Sequence, residues 1–434
     1  RLIKRGQELT QQRLALMDLS SMGATGAWLV SGWGEHPVAG TFGAGWEAAN
    51  TTTNIVQINR AVENGHYRYL FDRCMELGND TVIIQESQLN QETAPIEHLD
   101  AAAAQVGYNL IEASGGFRLY HLDVEGKWGT VTDYRVVGIG SMAPLISLQF
   151  PAMEETDSTN LNDYTFEELS QYDLIYLAGF TYDEREYAED LILRLSEAGV
   201  HIVISADGIP EDRRSHDQSF LGVRCNAVSF SNGYPELDTI DGVLNTDLFP
   251  QDHTEWDTVY VEGLDKCWGT VMANDLLLDF YGTVKNDDIV IIALNLTYFL
   301  GLTKDPSVSM LLSHAMQLSP TELPVRTIVP LQVEQNRDSI VIVSPEDHVN
   351  TALAYHDIFD SDQELQAHNR LTFVDEGTTV IRLRYPYFYT GLTISAASIL
   401  ATAAWWIVMK KRLRPKAKTL LQEVEEERQR VGAQ

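Results

Sequence analysis

The sequence is short of the residues on which most catalytic and metal sites are built. It carries three cysteines in 434 residues, Cys74, Cys225 and Cys267, too few and too scattered for a disulfide framework or a CxxC metal knuckle. Cys225 and Cys267 could pair in an oxidising compartment; unpaired buried thiols are the other reading. Eleven histidines are spread singly, with no HxH, HExxH or HxxxH pair to seat zinc. No GxGxxG or GxxxxGK[ST] loop exists to cradle a phosphate, so no cofactor is expected. Positive charge is scarce as well: 31 Lys+Arg stand against 62 Asp+Glu, a net charge of −31. That balance argues against nucleic acid as the main partner, because phosphate binding needs a cationic surface. Disorder, by contrast, is excluded by what is present, 44% hydrophobic and 9% aromatic residues. The length suggests two or three globular units.

The charge is unevenly placed. Residues 410–434 hold eight Lys/Arg and four Glu, a net of +4, which leaves −35 for residues 1–409. At this boundary lie the 25 uncharged residues 385–409, YPYFYTGLTISAASILATAAWWIVM. As a helix they would run about 37 Å, enough for a hydrocarbon core of about 30 Å. Tyr385, Tyr387, Phe388 and Tyr389 cluster at one end and Trp405 and Trp406 at the other, as interfacial aromatic belts do. The small residues Gly391, Ser395, Ala396, Ala397 and Ser398 would let another helix approach. Six basic residues follow without an acid: Lys410, Lys411, Arg412, Arg414, Lys416 and Lys418. The positive-inside rule then puts the C-terminus in the cytoplasm and residues 1–384 outside, at a cell membrane. The stretch 419–430 reads as a short charged cytoplasmic helix. Since the chain starts at Arg1 and RLIKRGQELTQQRL is no signal peptide, this topology predicts a cleaved signal or further membrane spans upstream.

Ahead of the span the pattern predicts an α/β chain in three parts. Residues 1–130 read as a small mixed α/β unit. It has an irregular Gly/Trp segment over 16–46 with a turn at Gly32-Trp33-Gly34. An amphipathic helix over 66–77, with Tyr67, Leu70, Phe71 and Cys74 inward, is capped by Gly78. A strand at 81–84, a helix over 96–106 stopped by Gly107, and a hairpin around Gly115-Gly116 complete it. Residues 131–322 alternate strand and helix like a doubly wound sheet, with strands at 135–140, 173–178, 200–205 and 289–294. Thr181-x-x-Glu184 reads as a capping box opening a helix whose Tyr187, Leu191 and Leu195 share a face. A closing helix over 307–317 turns Val308, Leu311, Leu312 and Ala315 inward. Residues 323–384 read as a small antiparallel β domain leading into the span.

Ligands of open parallel sheets bind beyond the carboxyl ends of the strands. Asp207-Gly208 follows one such strand, and Gly179-Phe180 with Asp183-Glu184 follows another. These five positions, Asp207, Gly208, Gly179, Asp183 and Glu184, are the candidate ligand contacts; the plainer reading of Asp207-Gly208 is a turn. A class I glutamine-amidotransferase-like domain would place a nucleophilic Cys after its third strand. The sequence there is AGFTYDE, so an amidotransferase-like shell without that catalysis is expected. Asp252-His253 with Asp257, and His356-Asp357 with Asp360 and Asp362, read as solvated acidic loops rather than metal sites. Glycosylation triplets begin at Asn50, Asn79 and Asn295. The echo of Val124-Glu-Gly…Trp128-Gly-Thr-Val in Val261-Glu-Gly…Trp268-Gly-Thr-Val marks a pair of related turns, too short to establish a repeat.

Three passages together resemble one family: residues 53–85 with the preceding Gly/Trp segment, SQYDLIYLAGFTYDEREYAEDLILRLSEAGVHIVIS with the later DIVIIALNLTYF, and LTFVDEGTTVIRLRYPYFYTGLTISAASIL entering the span. This order is similar to the C-terminal extracytoplasmic region of bacterial 6-pyruvoyl-tetrahydropterin synthase-related membrane proteins, which are YfhO-like and similar to GT-C type glycosyltransferases. The resemblance implies upstream spans in the same parent, lipid-linked sugar donors, and catalytic acids in early outer loops absent from this stretch. It transfers no catalytic residue to this chain, and pterin synthase chemistry would need a zinc-binding histidine set.

Three readings follow. The first is a non-catalytic extracytoplasmic part of a polytopic protein of envelope glycan or glycolipid assembly, binding a glycan, a lipid-linked sugar or an envelope protein. The second is a single-span adhesion or sensor module. The third is an ectohydrolase using Asp207 with Asp183 or Glu184, two carboxylates being the minimum for acid–base work.

Overall fold

A computed structural model describes residues 1–17, 28–32, 35–42, 52–89, 94–156, 158–212, 216–231, 235–245, 255–318, 326–363, 365–368, 370–385 and 387–432. Trp33-Gly34 and most of the Gly/Trp segment, Asn50, Asp252-His253 and the first residues of the expected β domain lie outside them.

In the first unit, five strands lie in the order β2-β1-β3-β5-β4: β1 (Leu14–Met17), β2 (Gly40–Phe42), β3 (Thr81–Gln85), β4 (Asn109–Ser114) and β5 (Phe117–His121). Period-2 alternation serves both faces of this sheet. Leu14, Leu16, Ile83 and Leu119 turn toward the helix Leu2–Leu9. Ala15, Met17, Val82, Ile84 and Tyr120 turn toward the helices Thr52–Asn64, Tyr67–Glu76 and Ile96–Val106. The turn between β4 and β5 uses Gly115 and Gly116, both at positive φ, which only glycine adopts freely and which matches a tight hairpin.

The second unit is built on five parallel strands: β7 (Val136–Ile139), β8 (Met153–Glu155), β9 (Leu174–Leu177), β10 (His201–Ser205) and β18 (Asn286–Ile292). Their order, β8-β7-β9-β10-β18, is the 2-1-3-4-5 arrangement of a doubly wound sheet. Four of them, β7, β9, β10 and β18, hold the aliphatic runs seen in the sequence, buried on both faces. The fifth, β8, Met-Glu-Glu at the sheet edge, is a strand that the sequence pattern does not predict. Residues 211–285, unassigned by periodicity, extend this sheet past β18 as antiparallel strands: β11 (Ser219–Phe220), β12 (Val223–Ser231), β13 (Leu237–Thr239), β14 (Gly242–Leu244), β15 (Glu255–Glu262), β16 (Lys266–Ala273) and β17 (Leu276–Val284).

Two local expectations need correction. The helix Arg185–Glu197 has Glu184 at its N-cap without a side-chain cap bond, and Thr181 pairs instead with Thr159. Asn162, from another loop, accepts from the Asp183 and Glu184 N–H groups at 2.7 and 3.1 Å. The capping box forms earlier, between Thr165 and Glu168. The inward face of that helix is Ala188, Leu191, Ile192 and Leu195, while Tyr187 is exposed.

The third unit is an eight-stranded antiparallel sheet, β22-β25-β20-β19-β6-β21-β24-β23. Seven of its strands come from the C-terminal part: β19 (Arg326–Gln335), β20 (Ser339–Ser344), β21 (Val349–Ala354), β22 (Phe359–Ser361), β23 (Gln366–His368), β24 (Leu371–Val374) and β25 (Gly377–Leu383). The eighth, β6 (Lys127–Thr132), arrives from the other side of the second unit and pairs with β19 from Arg326↔Thr132 to Leu331↔Lys127. The division expected at residue 130 therefore falls inside a strand of this sheet. Both copies of the short echo place a positive-φ glycine, Gly126 or Gly263, ahead of a Trp-Gly-Thr-Val strand.

From β25 the chain enters one continuous helix, Phe388–Val431, of 44 residues. Its first part, Phe388–Arg412, is long and apolar enough to cross a membrane, and none of it is buried against the rest of the chain. The helix begins three residues later than expected, with Tyr387 at its N-cap and Tyr385 ahead of it. The charged stretch 419–430 is not a separate helix but the continuation of the same one.

Candidate functional site

The densest polar chemistry among the described residues is a buried charge network where the three units meet. The helix Tyr67–Glu76 gives one face to its own core, and the other carries Tyr69, Asp72, Arg73 and Glu76. This second face meets the other two units, so these polar residues are buried too. Arg326 of β19 donates from Nε to Asp72 at 3.0 Å, from Nη1 to Thr132 at 2.6 Å, and from Nη2 to the Pro151 carbonyl at 3.1 Å. Its Nη1 also lies 3.5 Å from Glu76 Oε1. Arg73 donates to Glu76 and to the Met153 carbonyl, the latter at 2.8 Å, and lies over the Tyr69 ring at 5.0 Å. Asn350 of β21 donates to the Glu76 carbonyl, and Gln57 donates to Glu155 of β8 at 2.6 and 2.7 Å.

Burial sets the titration of these groups. It pushes the Asp72 carboxyl up, against the opposing pull of Arg326 and Arg73. It raises Glu154 as well, which accepts from the Tyr172 hydroxyl at 3.2 Å. For Arg73, burial works against the charge, but Glu76, Tyr69 and Asp72 outweigh it and hold the guanidinium well above its usual range. Arg73 and Arg326 face Asp72 and Glu76, with the buried Glu154 close enough to feel the same charges. Asp72 Oδ1 and Arg73 Nε remain buried without a hydrogen-bond partner among the described residues. The network connects all three units through Arg326, Pro151, Asp72 and Asn350.

The carboxyl edge of the parallel sheet is where the sequence placed its candidate ligand contacts. At the switch point between β7 and β9 the loops bond to each other: Ser141 and Met142 N–H donate to the Gly179 and Ala178 carbonyls at 3.1 and 2.9 Å. Gly179 has φ +71°, and a Cβ on Gly208 would sit 2.1 Å from the Gly179 nitrogen. Gly179 and Gly208 are thus brought together, as a close backbone crossing that admits no side chain.

Asp207 turns the other way, toward the strand extension. Its Oδ1 accepts from the Thr258 hydroxyl at 2.7 Å and from Val259 N–H at 3.3 Å, and its Oδ2 accepts from Asn295 N–H. Asp207 therefore ties the end of β10 to β15 and to the start of the helix Leu296–Thr303. Burial pushes its carboxyl up to about 6, with Thr258, Asn295 and Val259 opposing. Asp183 and Glu184 are exposed. Asp183 accepts from Asn160 at 2.9 Å, and neither acid takes part in Asp207's hydrogen bonds or in its raised pKa.

Asp207→Ala leaves two N–H groups and a hydroxyl without their acceptor and is expected to destabilise the chain by about 2–4 kcal/mol. Because the folded pKa lies above the unfolded value of 3.8, the folded state binds the extra proton between about pH 4 and 6. Wild-type stability then falls as pH rises through that window, and Asp207→Ala abolishes this contribution. Urea unfolding at pH 4, 5, 6 and 7 measures both effects.

Cys74 and Cys225 are buried free thiols, and Cys267, expected inside, is exposed. Cys225 contacts the Ala206 carbonyl and Cys267 the Gly269 carbonyl. Asn79 is fully buried, which leaves no room for a glycan in the folded chain, and Asn295 stands at a helix N-cap position in a left-handed conformation without a side-chain cap bond. Among the described residues no group of three His, Cys, Asp or Glu could hold a metal ion.

At the apolar C-terminal helix, Tyr385, Tyr387 and Tyr389 are exposed at one end and Trp405 and Trp406 at the other. Lys410 places its ammonium over the Trp406 ring at 4.7 Å, and Lys411 and Arg412 follow on the same helix.

Fold and site together define an α/β chain with an unburied apolar C-terminal helix. Residues 1–133 match a family described as Domain of unknown function (DUF8559), and residues 135–304 match one described as Domain of unknown function (DUF8560). The break between the two matches falls between β6 and β7. No curated protein matches the chain.

Proposed function

We propose that this chain is a membrane-anchored, extracytoplasmic binding or scaffold region that performs no chemistry of its own. The observation that carries the reading is the helix Phe388–Arg412, apolar over 25 residues and unburied. Such an exposed apolar surface is unstable in water and at home in a bilayer. The run of basic residues after Met409 supports a cytoplasmic C-terminus and an outward-facing residue 1–384 region. The three-way charge network supports a rigid platform over a hinged enzyme. Asp207, fully engaged by Thr258, Val259 and Asn295, favours a structural role there over that of a catalytic acid.

The resemblance in segment order supports a narrower version: the outer part of a polytopic, glycosyltransferase-like parent in envelope glycan or glycolipid assembly, with an amidotransferase-like second unit that holds a glycan, a lipid-linked sugar or an envelope protein. The single-span adhesion or sensor module is the alternative setting for the same anchored platform. The test is to screen the purified chain against envelope glycans, lipid-linked sugars and glycosidic or ester substrates. Saturable binding without turnover is the expected result. Turnover that disappears in Asp207→Ala while the fold survives would overturn the reading in favour of the ectohydrolase.

A further inference from the structure

Residues 413–431 carry the C-terminal helix about 28 Å beyond the apolar stretch, which ends at Arg412. Alternating steps of four and three along them fall on Leu413, Ala417, Leu420, Val424, Glu427 and Val431. Outside that seam the only apolar residues are Pro415 and Leu421. An apolar repeat of about 3.5 residues is the pattern of a coiled coil. In its lettering Ala417, Val424 and Val431 take position a, and Leu413, Leu420 and Glu427 take position d. Pro415 falls at f, the outermost position, and Leu421 at e, on the flank of the seam. Leu420, Leu421, Val424 and Val431 are all exposed, so the chain does not use this seam for its own core.

The charges beside the seam are complementary to a second copy of the same helix. In a parallel pair, position g of one helix meets position e of the other, five residues further on. Here that sets Glu423 against Arg428 of the second copy, and symmetry makes the contact twice. Glu427, the one acid in the seam, meets the same arginine, because a d side chain packs against the d and e residues of the facing helix. Within one helix these charges are unpaired. Among the described residues Glu423, Glu427, Arg428 and Arg430 form no ion pair. The remaining outward positions from Lys418 on, b, c and f, are all polar: Lys418, Thr419, Gln422, Glu425, Glu426 and Gln429.

We propose that the C-terminal helix pairs in parallel with its counterpart in a second copy of this chain, through the seam from Ala417 to Val431 and the Glu423–Arg428 contacts. Two heptads are short for a free coiled coil, but confinement to one bilayer raises the effective concentration of the two helices. Two copies crossing the same membrane also enter it in the same direction, which imposes the parallel arrangement. Carried back in steps of seven, position a falls on Lys410, Ala403 and Ala396. Lys410 lies over the Trp406 ring at the end of the apolar stretch, and the two alanines permit close approach inside it. The parallel direction rests on the membrane reading; the seam and its charges do not, and neither depends on the glycan reading.

The test is oxidative cross-linking of the full chain in membranes with copper phenanthroline, in a Cys267→Ser background that removes the exposed native thiol. Leu420→Cys and Val431→Cys should each give a disulfide-linked dimer. Gln422→Cys and Gln429→Cys, at position f, should give about tenfold less, because only seam positions come within disulfide reach. Arg428→Glu should lower the Leu420→Cys yield about threefold. Co-expression with a Glu423→Arg chain, both carrying Leu420→Cys, should restore it as a heterodimer. Equal yields at all four positions would mean random collision and overturn the proposal, as would no dimer at Leu420→Cys and Val431→Cys. Linking at only one of those two would exclude the parallel register. Alkali extraction of the same membranes reads the span separately. Linked chain in the extractable fraction would keep the pair without the span, and unlinked chain in the resistant fraction would keep the span and sink the pair.

Discussion

Arg326→Ala is expected to lower stability by about 3–5 kcal/mol, the usual consequence of removing one partner from a buried ion pair. The variant leaves Asp72 and Glu76 facing each other inside the protein, and it strips donors from Thr132 and the Pro151 carbonyl. Typical domains have only about 5–15 kcal/mol to lose. Since Arg326 bridges all three units, the loss should appear as separation of their unfolding transitions rather than a uniform shift. Arg326→Lys keeps the charge but cannot reproduce the three-way fork, and should recover only part of the stability. A double-mutant cycle with Asp72→Asn measures the coupling directly. A coupling of about 1–3 kcal/mol is expected for residues sharing one network. Additive effects, measured by urea unfolding with fluorescence and circular dichroism, would show that the junction is not a coupled network.

The second large effect is expected in the apolar C-terminal helix, if it spans a membrane as proposed. Leu400 lies at the centre of Phe388–Arg412 and is exposed on its surface. Leu400→Arg there should raise the insertion cost by about 2.5–3.5 kcal/mol, shifting the chain from the alkali-resistant membrane fraction toward the extractable one. Leu421→Arg changes an equally exposed leucine of the same helix, beyond the basic cluster, and should leave the fractionation unchanged. Equal behaviour of the two variants would remove the case for a span.

How much of this was legible in the sequence depends on which part of a residue's environment is local. The helix Ile96–Val106, its Gly107 cap and the hairpin at Gly115-Gly116 could be read directly, because a cap or a tight turn is decided by a few neighbouring residues. Aliphatic runs such as Leu174–Leu177 and His201–Ser205 were legible because strands buried on both faces lose their alternation. The second face of Tyr67–Glu76 was not. Asp72, Arg73 and Glu76 look like a solvated surface at helical spacing, and only their burial against Arg326, 254 residues away from Asp72 in sequence, reveals the junction. The same holds for β6, whose partners lie in β19 and β21. No local pattern announces that a strand will cross over a whole intervening unit. Asp207 was singled out as a candidate ligand contact at a strand end, but its donors Thr258, Val259 and Asn295 come from elsewhere in the chain, where no local pattern points to it.

The proposed topology puts residues 1–384 and 410–434 on opposite sides of a membrane, with the basic end in the cytoplasm. Cys267 gives the outer region a native reporter, because it is exposed while Cys74 and Cys225 are buried. In intact cells, a membrane-impermeant maleimide applied at mildly alkaline pH should label Cys267 without permeabilisation. In a Cys267→Ser, Glu426→Cys variant, the same reagent should label the tail only after the membrane is opened. Labelling of both positions from the same side, or of Glu426→Cys alone in sealed cells, would contradict the account.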